Sequence, residues 1–337
     1  MDECDPRSSG PEEPRFALSI VIPVYNGANS IAALTCALED LSIAGGHEIV
    51  LVNDGSADNS LAVCQELLGR ARIPMTLVNL ARNYGEHNAV ITGLRYANGK
   101  YIITMDDDLQ NPPEEVQRLL TFAQHRGKQV VYTYFGEKNH AAWRNIASRF
   151  ANLVADFVLD KPPGLYLSSF RCMTAFVARE ITRYEGPFPY IDGLILQVTD
   201  DIGRLRVRHL PRATGISNYT MRRLLRLWMN MFVNFSVMPL RISTLTGFTL
   251  SGLGALGVAI AVGEALLSSP PPGWTSLIAA VLLLSGVQLL ILGIVGEYLG
   301  RLYLTANRKP QSVIKEVRRT EPGQSAEGAP IPLREHA

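Results

Sequence analysis

Tyr101–Glu115, YIITMDDDLQNPPEE, is the stretch that decides the fold. Tyr101-Ile102-Ile103-Thr104-Met105 is a β-rich apolar run bounded by polar residues, which predicts a buried strand. Asn111-Pro112-Pro113-Glu114-Glu115 predicts a helix start, with prolines where a missing N–H costs least. Between the two, Asp106, Asp107 and Asp108 gather carboxylates at the carboxyl end of a strand. They repel one another and are costly to desolvate unless positive charge sits among them. Continued strand geometry puts Asp106 and Asp108 on one side and Asp107 on the other. Such a D-x-D pair can share one divalent cation, and hard oxygen ligands suit Mg²⁺ or Mn²⁺ with substrate phosphates completing the shell. The alternative is a solvated acidic turn.

Upstream, the same grammar repeats. Phe16–Tyr25 predicts a strand ended near Pro23, and Ile31–Leu41 a helix. His47–Val52 is a second strand, closed by Asn53-Asp54-Gly55-Ser56, with Ser56 or Asp58 as the cap of a helix over Leu61–Leu68. Met75–Leu80 is a third strand and Asn88–Ala97 a helix; Val130–Phe135 extends the sheet. Alternation at this spacing predicts an α/β fold with a mostly parallel sheet covered on both faces. Ligands of such sheets bind beyond the carboxyl ends of the strands. Pro23, Asp54, Arg82 and Asp106 all fall at or just after such ends. Asp54 alone reads equally as an acceptor for a base or ribose and as an Asx turn or cap. No G-x-G-x-x-G follows the first strand and no Walker A sequence is present, so hydride-transfer and ATPase readings lack their main support.

The 337 residues suffice for one sizeable α/β domain and something smaller. A net charge of +1 leaves no excess of cations to follow a nucleic-acid backbone. Cys4, Cys36, Cys64 and Cys172 form no C-x-x-C pair, which suggests neither a zinc site nor a disulfide scaffold. No cleavable signal peptide is visible.

Taken together, Val21-Ile22-Pro23-Val24-Tyr25-Asn26, Val52-Asn53-Asp54-Gly55-Ser56, Asn83-Tyr84-Gly85 and Met105–Glu114 resemble the inverting family-2 glycosyltransferases. The resemblance runs from Phe16 to about Val317. It is strongest to the branch that moves a sugar from a nucleotide onto a polyprenyl phosphate. It implies a GT-A type nucleotide-diphospho-sugar transferase domain. Asp106 would contact metal or nucleotide, Asp108 would be the principal metal ligand, and Gln110 would complete the protein ligands. Pro23, Tyr25 and Asp54 would surround base and ribose, with Asn26, Arg82 and Asp107 in the same nucleotide cleft. Members are often dimers or tetramers, so a homo-oligomer is expected.

The middle of the chain would frame the acceptor. Ala141–Asp156 has helical spacing, and there Arg144 and Arg149 are either phosphate holders or surface charges. Related enzymes often carry an acid just before a Phe-Arg pair, where this chain has Ser168 and Ser169. A carboxylate base is not needed for this chemistry, because a phosphate monoester with a second pKa of about 6 is already largely ionised. Arg171 is then a candidate to hold the acceptor phosphate or the leaving diphosphate; its alternative is pairing with a structural carboxylate. Asp192, in Tyr190-Ile191-Asp192-Gly193, could orient a sugar hydroxyl, act as base, or cap a helix near Leu194. No Q-x-x-R-W follows, so one sugar per turnover is the natural reading.

From Tyr219 the chain interleaves Arg222, Arg223 and Arg226 with Leu224, Trp228, Met231 and Phe232, which suits amphipathic helices in a headgroup region. Ile242–Gly263 and Ser276–Gly296 are free of charge and long enough to cross a core of about 30 Å. Ser268–Gly273 makes the turn of a two-helix transmembrane hairpin. Arg241, Arg301, Arg308 and Lys309 place both flanks in the cytoplasm, with lipid bilayer as a partner. The expected organisation is a disordered tail over 1–15, a catalytic domain over 16–212, and amphipathic helices over 213–241. Spans near 242–267 and 275–298 (within 242–300), a juxtamembrane segment over 301–319, and a second disordered tail over 320–337 complete it. The expected function is transfer of one sugar from a nucleotide-diphosphate donor, UDP favoured, to undecaprenyl phosphate at the inner membrane. Its rivals are the same fold with another lipid-linked acceptor and a catalytically silent scaffold of a glycan assembly.

Overall fold

A computed structural model describes residues 14–135, 165–186, 188–210, 238–267, 273–307 and 310–320. Arg144 and Arg149, the expected amphipathic helices with Arg222, Arg223 and Arg226, the expected turn at 268–272, Arg308, Lys309 and nearly all of both expected tails lie outside these residues. The chain divides into two compact units, Met1–Asn218 with Pro310–Ala337, and Tyr219–Lys309.

The first unit opens with strand–helix alternation: β1 (Phe16–Val24), α1 (Ile31–Glu39), β2 (His47–Asn53), α2 (Ser60–Gly69), β3 (Met75–Leu80), α3 (Glu86–Leu94), β4 (Gly99–Thr104) and α4 (Pro113–Arg126). It continues with β5 (Val130–Tyr134), β6 (Arg171–Thr174), α5 (Ala175–Thr182), α6 (Ile191–Val198), β7 (Ile202–Arg206) and β8 (Ile314–Thr320). The sheet order is β7-β5-β6-β4-β1-β2-β3-β8. β1 pairs in parallel with β2 and β4, and β2 with β3. β6 enters antiparallel between β4 and β5, and β8 runs antiparallel along β3.

All seven residues of β2 are buried, as a strand covered on both faces requires. Its polar members are satisfied locally. Glu48 accepts from Ser19 Oγ at 2.6 Å and from the Asn98 backbone N–H at 2.5 Å, and His47 Nε2 meets the Leu38 carbonyl at 2.9 Å. Ile20, Ile22, Leu34, Leu38, Leu51 and Phe170 are fully buried in the core beneath.

Three strands depart from the sequence expectation. β6 and β7 were not anticipated, and β8 lies where a juxtamembrane segment was expected. Four of β8's seven residues are charged (Lys315, Glu316, Arg318, Arg319), which conceals a strand and is also how exposed sheet edges are protected. Only Val317 and Thr320 of β8 are buried. The N-terminus of α2 also differs: Asn59 is the cap residue, while Asp58 accepts from Ser60 N at 3.0 Å and from Ala28 N at 3.2 Å.

The second unit contains α7 (Met238–Leu267) and α8 (Trp274–Ala306). Among the described residues one stretch, Leu284–Ala306, is long and apolar enough to cross a membrane. The expected first span falls within α7, where Thr244, Thr246 and Thr249 turn their hydroxyls back to carbonyls four residues earlier at 2.8–2.9 Å.

Candidate functional site

Four loops meet beyond the carboxyl ends of β1, β2, β3 and β4. The loop after β1 is joined to the loop after β2: Asn26 N donates to Ser56 Oγ at 3.1 Å, Ala57 N to Asn26 Oδ1 at 2.9 Å, and Gly27 N to Ser60 Oγ at 2.9 Å. Asn26 holds a left-handed φ of 56° in doing so. The loop after β2 is joined in turn to the loop after β3. Asp54 accepts from Tyr84 N at 2.7 Å and Gly85 N at 2.8 Å. Gly55, with φ +60°, lies where a Cβ would stand 2.3 Å from the Arg82 carbonyl carbon, so only glycine fits that crossing. Burial nevertheless raises the Asp54 pKa, the two backbone N–H groups opposing it. Asp54 therefore acts first as the clasp of the loops. Tyr25 is half exposed on this surface, and the exposed Arg82 guanidinium lies 4.9 Å from the Tyr84 ring centroid.

The acidic turn closes the fourth side. β4 ends at Thr104, Met105 N still donates to Val21 O at 3.2 Å, and Leu109 adopts φ 60°. A positive φ at a leucine is strained, and such strain persists where the surroundings over-determine the turn. The carboxylates fan apart. Asp106 Oδ2 accepts from Ser169 Oγ at 2.6 Å. Asp107 faces the loop after β1, where a Cβ on Gly27 would come within 2.0 Å of Asp107 Oδ2. Asp108 Oδ1 accepts from Gln110 N at 3.2 Å. Gln110 is fixed by Leu210, whose backbone N–H donates to the Gln110 carbonyl at 2.9 Å while Gln110 Nε2 reaches the Leu210 carbonyl at 3.4 Å. The stretch from Arg208 to Leu210 thus closes over the acidic turn, with Arg208 N within 3.4 Å of Glu115 Oε1.

Crowding shows in the electrostatics. Burial, then the neighbouring Glu86, pushes Asp106 up to about 7, against the Ser169 hydrogen bond. Burial, then Asp106 and Asp108, pushes Asp107 up to about 7. Asp107 Oδ2 is buried without a hydrogen-bond partner. Among the described residues no three His, Cys, Asp or Glu side chains form a ready-made cation cage. A divalent cation would therefore rely on two carboxylates and external oxygens, and the repelling hard-oxygen donor set fits Mg²⁺ or Mn²⁺ on those terms.

Arg171 and Asp192 face each other, not the cleft. Both are buried, at 2% and 7% exposure, and Arg171 Nη1 is paired with Asp192 Oδ1. Tyr132 Oη donates to the same Asp192 oxygen at 2.9 Å. Burial works against charge on Arg171, but Asp192 and Tyr132 outweigh it and hold the guanidinium protonated. For Arg171 this arrangement is the alternative raised by the sequence, pairing with a structural carboxylate, and Asp192 meets it from the first turn of α6. Arg171 Nε also reaches Thr104 Oγ1 at 3.3 Å; Thr104 Oγ1 donates to the Ser169 carbonyl at 2.6 Å, and Ser169 to Asp106. A continuous chain of contacts leads from the buried pair to the first carboxylate of the D-x-D. Ser169 was noticeable in sequence only as a missing acid; Thr104 and Tyr132 carried no signal.

His87, in the first turn of α3, lies edge-on to Tyr190 with ring centroids 5.1 Å apart. Burial lowers its pKa from 6.5 to about 4, with Asp192 opposing and Arg171 assisting. A depressed histidine stabilises the fold fully above about pH 6.5, and that contribution is lost as pH falls toward about 4, because the unfolded chain takes up the proton first. Against a His87→Gln variant, the wild type should therefore lose up to roughly 2 kcal/mol of stability between about pH 7.5 and about pH 5. Melting both proteins at the two pH values checks this, and the comparison cancels the opposite effect of Asp106 and Asp107. An unchanged difference would mean that His87 is charged in the fold.

The profile of glycosyl transferase family 2 matches residues 19–181. The undecaprenyl-phosphate 4-deoxy-4-formamido-L-arabinose transferase of Pseudomonas aeruginosa (strain LESB58) is 36% identical, over 90% of this chain and 91% of that one. The enzyme of the same name from Pseudomonas savastanoi pv. phaseolicola is 33% identical over 90% and 91%. A solved glucosyl-3-phosphoglycerate synthase of Mycobacterium tuberculosis, with Mn²⁺, UDP-glucose and phosphoglyceric acid, superposes with a TM-score of 0.48 at 16% identity, covering 65% of this chain and 78% of that one.

Proposed function

Because the chain belongs to glycosyl transferase family 2, we propose that it transfers one sugar from a nucleotide-diphosphate donor to undecaprenyl phosphate. The single observation that carries this reading is likeness over nine-tenths of the chain to transferases named for that lipid acceptor. The donor is a UDP-sugar, and the 4-deoxy-4-formamido-L-arabinose of the relatives' names is the first sugar to test. Asp106 and Asp108, with the amide oxygen of Gln110, would hold Mg²⁺ or Mn²⁺. When bound, that ion supplies neutralisation of the charge that develops on the leaving diphosphate.

The rest is the work of the chain. The loops clasped by Asp54, with Pro23, Tyr25 and Arg82 on their surface, take base and ribose. Asp107 and Gly27 fix the acidic turn against those loops. An oxygen of the lipid phosphate bonds to the anomeric carbon as the bond from that carbon to the nucleoside diphosphate breaks, inverting the centre. No strong base is required of the protein, since the acceptor is already ionised near neutral pH. Arg144 and Arg149 remain candidates for the acceptor phosphate. The enzyme works at the inner face of the cytoplasmic membrane as an oligomer, anchored by a two-helix hairpin with both termini cytoplasmic; the apolar length of Leu284–Ala306 supports the anchor.

The test is transfer from labelled UDP- and GDP-sugars to undecaprenyl phosphate in detergent, with Mg²⁺ or Mn²⁺. One donor giving an acid-labile labelled lipid supports the reading. Metal-dependent nucleotide release without lipid product would keep the donor half and discard the acceptor. Neither product nor release from any donor would favour the silent scaffold.

A further inference from the structure

The residues that follow α8 in sequence are built against α3, the end of β3 and the turn between α5 and α6. Gln311 Nε2 donates to the Tyr184 carbonyl at 2.7 Å and to the Gly186 carbonyl at 2.9 Å. Its Oε1 accepts from Arg95 Nη2 at 3.2 Å, and the same nitrogen reaches the Thr182 carbonyl at 3.5 Å. Ser312 and Thr92 share a hydroxyl contact of 2.8 Å, and Ala81 N donates to Val313 O at 2.9 Å. Three consecutive residues thus touch the end of β3, the helix α3, and the turn between α5 and α6, before the chain becomes β8.

The two elements that Gln311 ties together meet again at their other ends. The first turn of α3 carries His87, and the residue just before α6 is Tyr190; their rings are in edge contact at 5.1 Å. Directly before α3 are Tyr84 and Gly85, whose N–H groups Asp54 holds. Glu86, the first residue of α3, is close enough to raise the Asp106 pKa. On α6, Asp192 holds Arg171. The separation of α3 from the 182–192 segment is therefore fixed at two places, His87–Tyr190 beside the site and Gln311 away from it. A primary amide suits the second place, since it donates to two carbonyls from one nitrogen while accepting from a guanidinium.

We propose that Gln311 is a positioning residue for the donor half of the site, holding α3 and the α5–α6 turn at the spacing that the clasped loops require. The proposal rests on the reading of the cleft as a metal–nucleotide site. Leucine at 311 keeps the bulk and removes all three polar contacts, so α3 can drift from the turn. Loss of such contacts is worth about a tenfold change in an equilibrium that this spacing controls.

The experiment uses the full chain in detergent and compares Gln311→Leu with Arg319→Ala, which removes the 3.2 Å contact of Arg319 Nε with Thr76 Oγ1 in the β3–β8 pair. UDP binding with Mn²⁺ and the two Michaelis constants are read. Gln311→Leu should weaken UDP binding and raise the donor KM by about tenfold, with the undecaprenyl-phosphate KM within about twofold. Arg319→Ala should move none of these beyond about twofold. Equal effects of the two variants, or none from Gln311→Leu, overturn the proposal, because β8 would then be a plain edge strand. If Gln311→Leu does not fold, Ser312→Ala takes its place, with a donor effect of about threefold expected and its absence overturning. Asp108→Asn in the same UDP titration separates the two levels. Wild-type binding there removes the reading of the cleft and the inference with it; lost binding there, beside an unaltered Gln311→Leu, removes the inference alone.

Discussion

Replacing Asp108 by asparagine should cost about 10³-fold in sugar transfer while raising the stability of the metal-free protein. Both directions follow from one fact. Asp106, Asp107 and Asp108 are consecutive carboxylates, and Asp108 is among the causes that raise the pKa of each of the other two. Removing its charge relieves that repulsion. The hydrogen bond from Gln110 N to Asp108 Oδ1 at 3.2 Å survives in asparagine, which keeps an accepting oxygen. The same change removes half of the D-x-D donor set and with it the neutralisation of the leaving diphosphate. Labelled-lipid formation with and without Mn²⁺ reads the first effect, and the melting temperature in chelator reads the second. A solvated acidic turn would show little change in either. A carboxylate with a structural role would show both activity and melting temperature falling together.

The strands that were legible are those whose burial is dictated by their own residues. β1 to β5 are apolar runs between turn signals, and their bounds fell within a residue or two of the expected ones. β6, β7 and β8 carry charge: Arg171 within β6, Arg204 and Arg206 in β7, four charged residues in β8. Their strand character comes from neighbours far along the chain, such as Ile103 opposite Cys172 and Val78 opposite Val317. The site divides along the same line. The acidic run and the loop residues at strand ends are local patterns, and they converge as the doubly covered sheet demands. The pairing of Arg171 with Asp192 is not local. Each residue drew attention singly, and nothing in either neighbourhood names the other as its partner. Tyr132, on β5, decides the matter by adding its hydroxyl to Asp192 from a third element.

That pairing sets the second large effect. Arg171→Ala should destabilise the protein by about 3–5 kcal/mol, because it leaves Asp192 buried without its ion-pair partner. In a domain of this size the melting temperature should fall by about 10 °C. The double variant Arg171→Met with Asp192→Leu should regain most of that loss, since an apolar pair of similar volume needs no desolvation. An arginine that held the acceptor phosphate would behave otherwise, folding normally as alanine and raising the KM for undecaprenyl phosphate alone. The double variant separates stability from catalysis. Its core is repaired, yet Thr104 Oγ1 loses the Arg171 Nε contact at 3.3 Å, the link that joins the buried pair to Thr104, Ser169 and Asp106. Transfer should therefore stay depressed, by about tenfold, in a protein that melts almost normally. Full recovery of both would confine the pair to the core; recovery of the fold alone would make the buried pair the support on which the first carboxylate of the acidic turn is aimed.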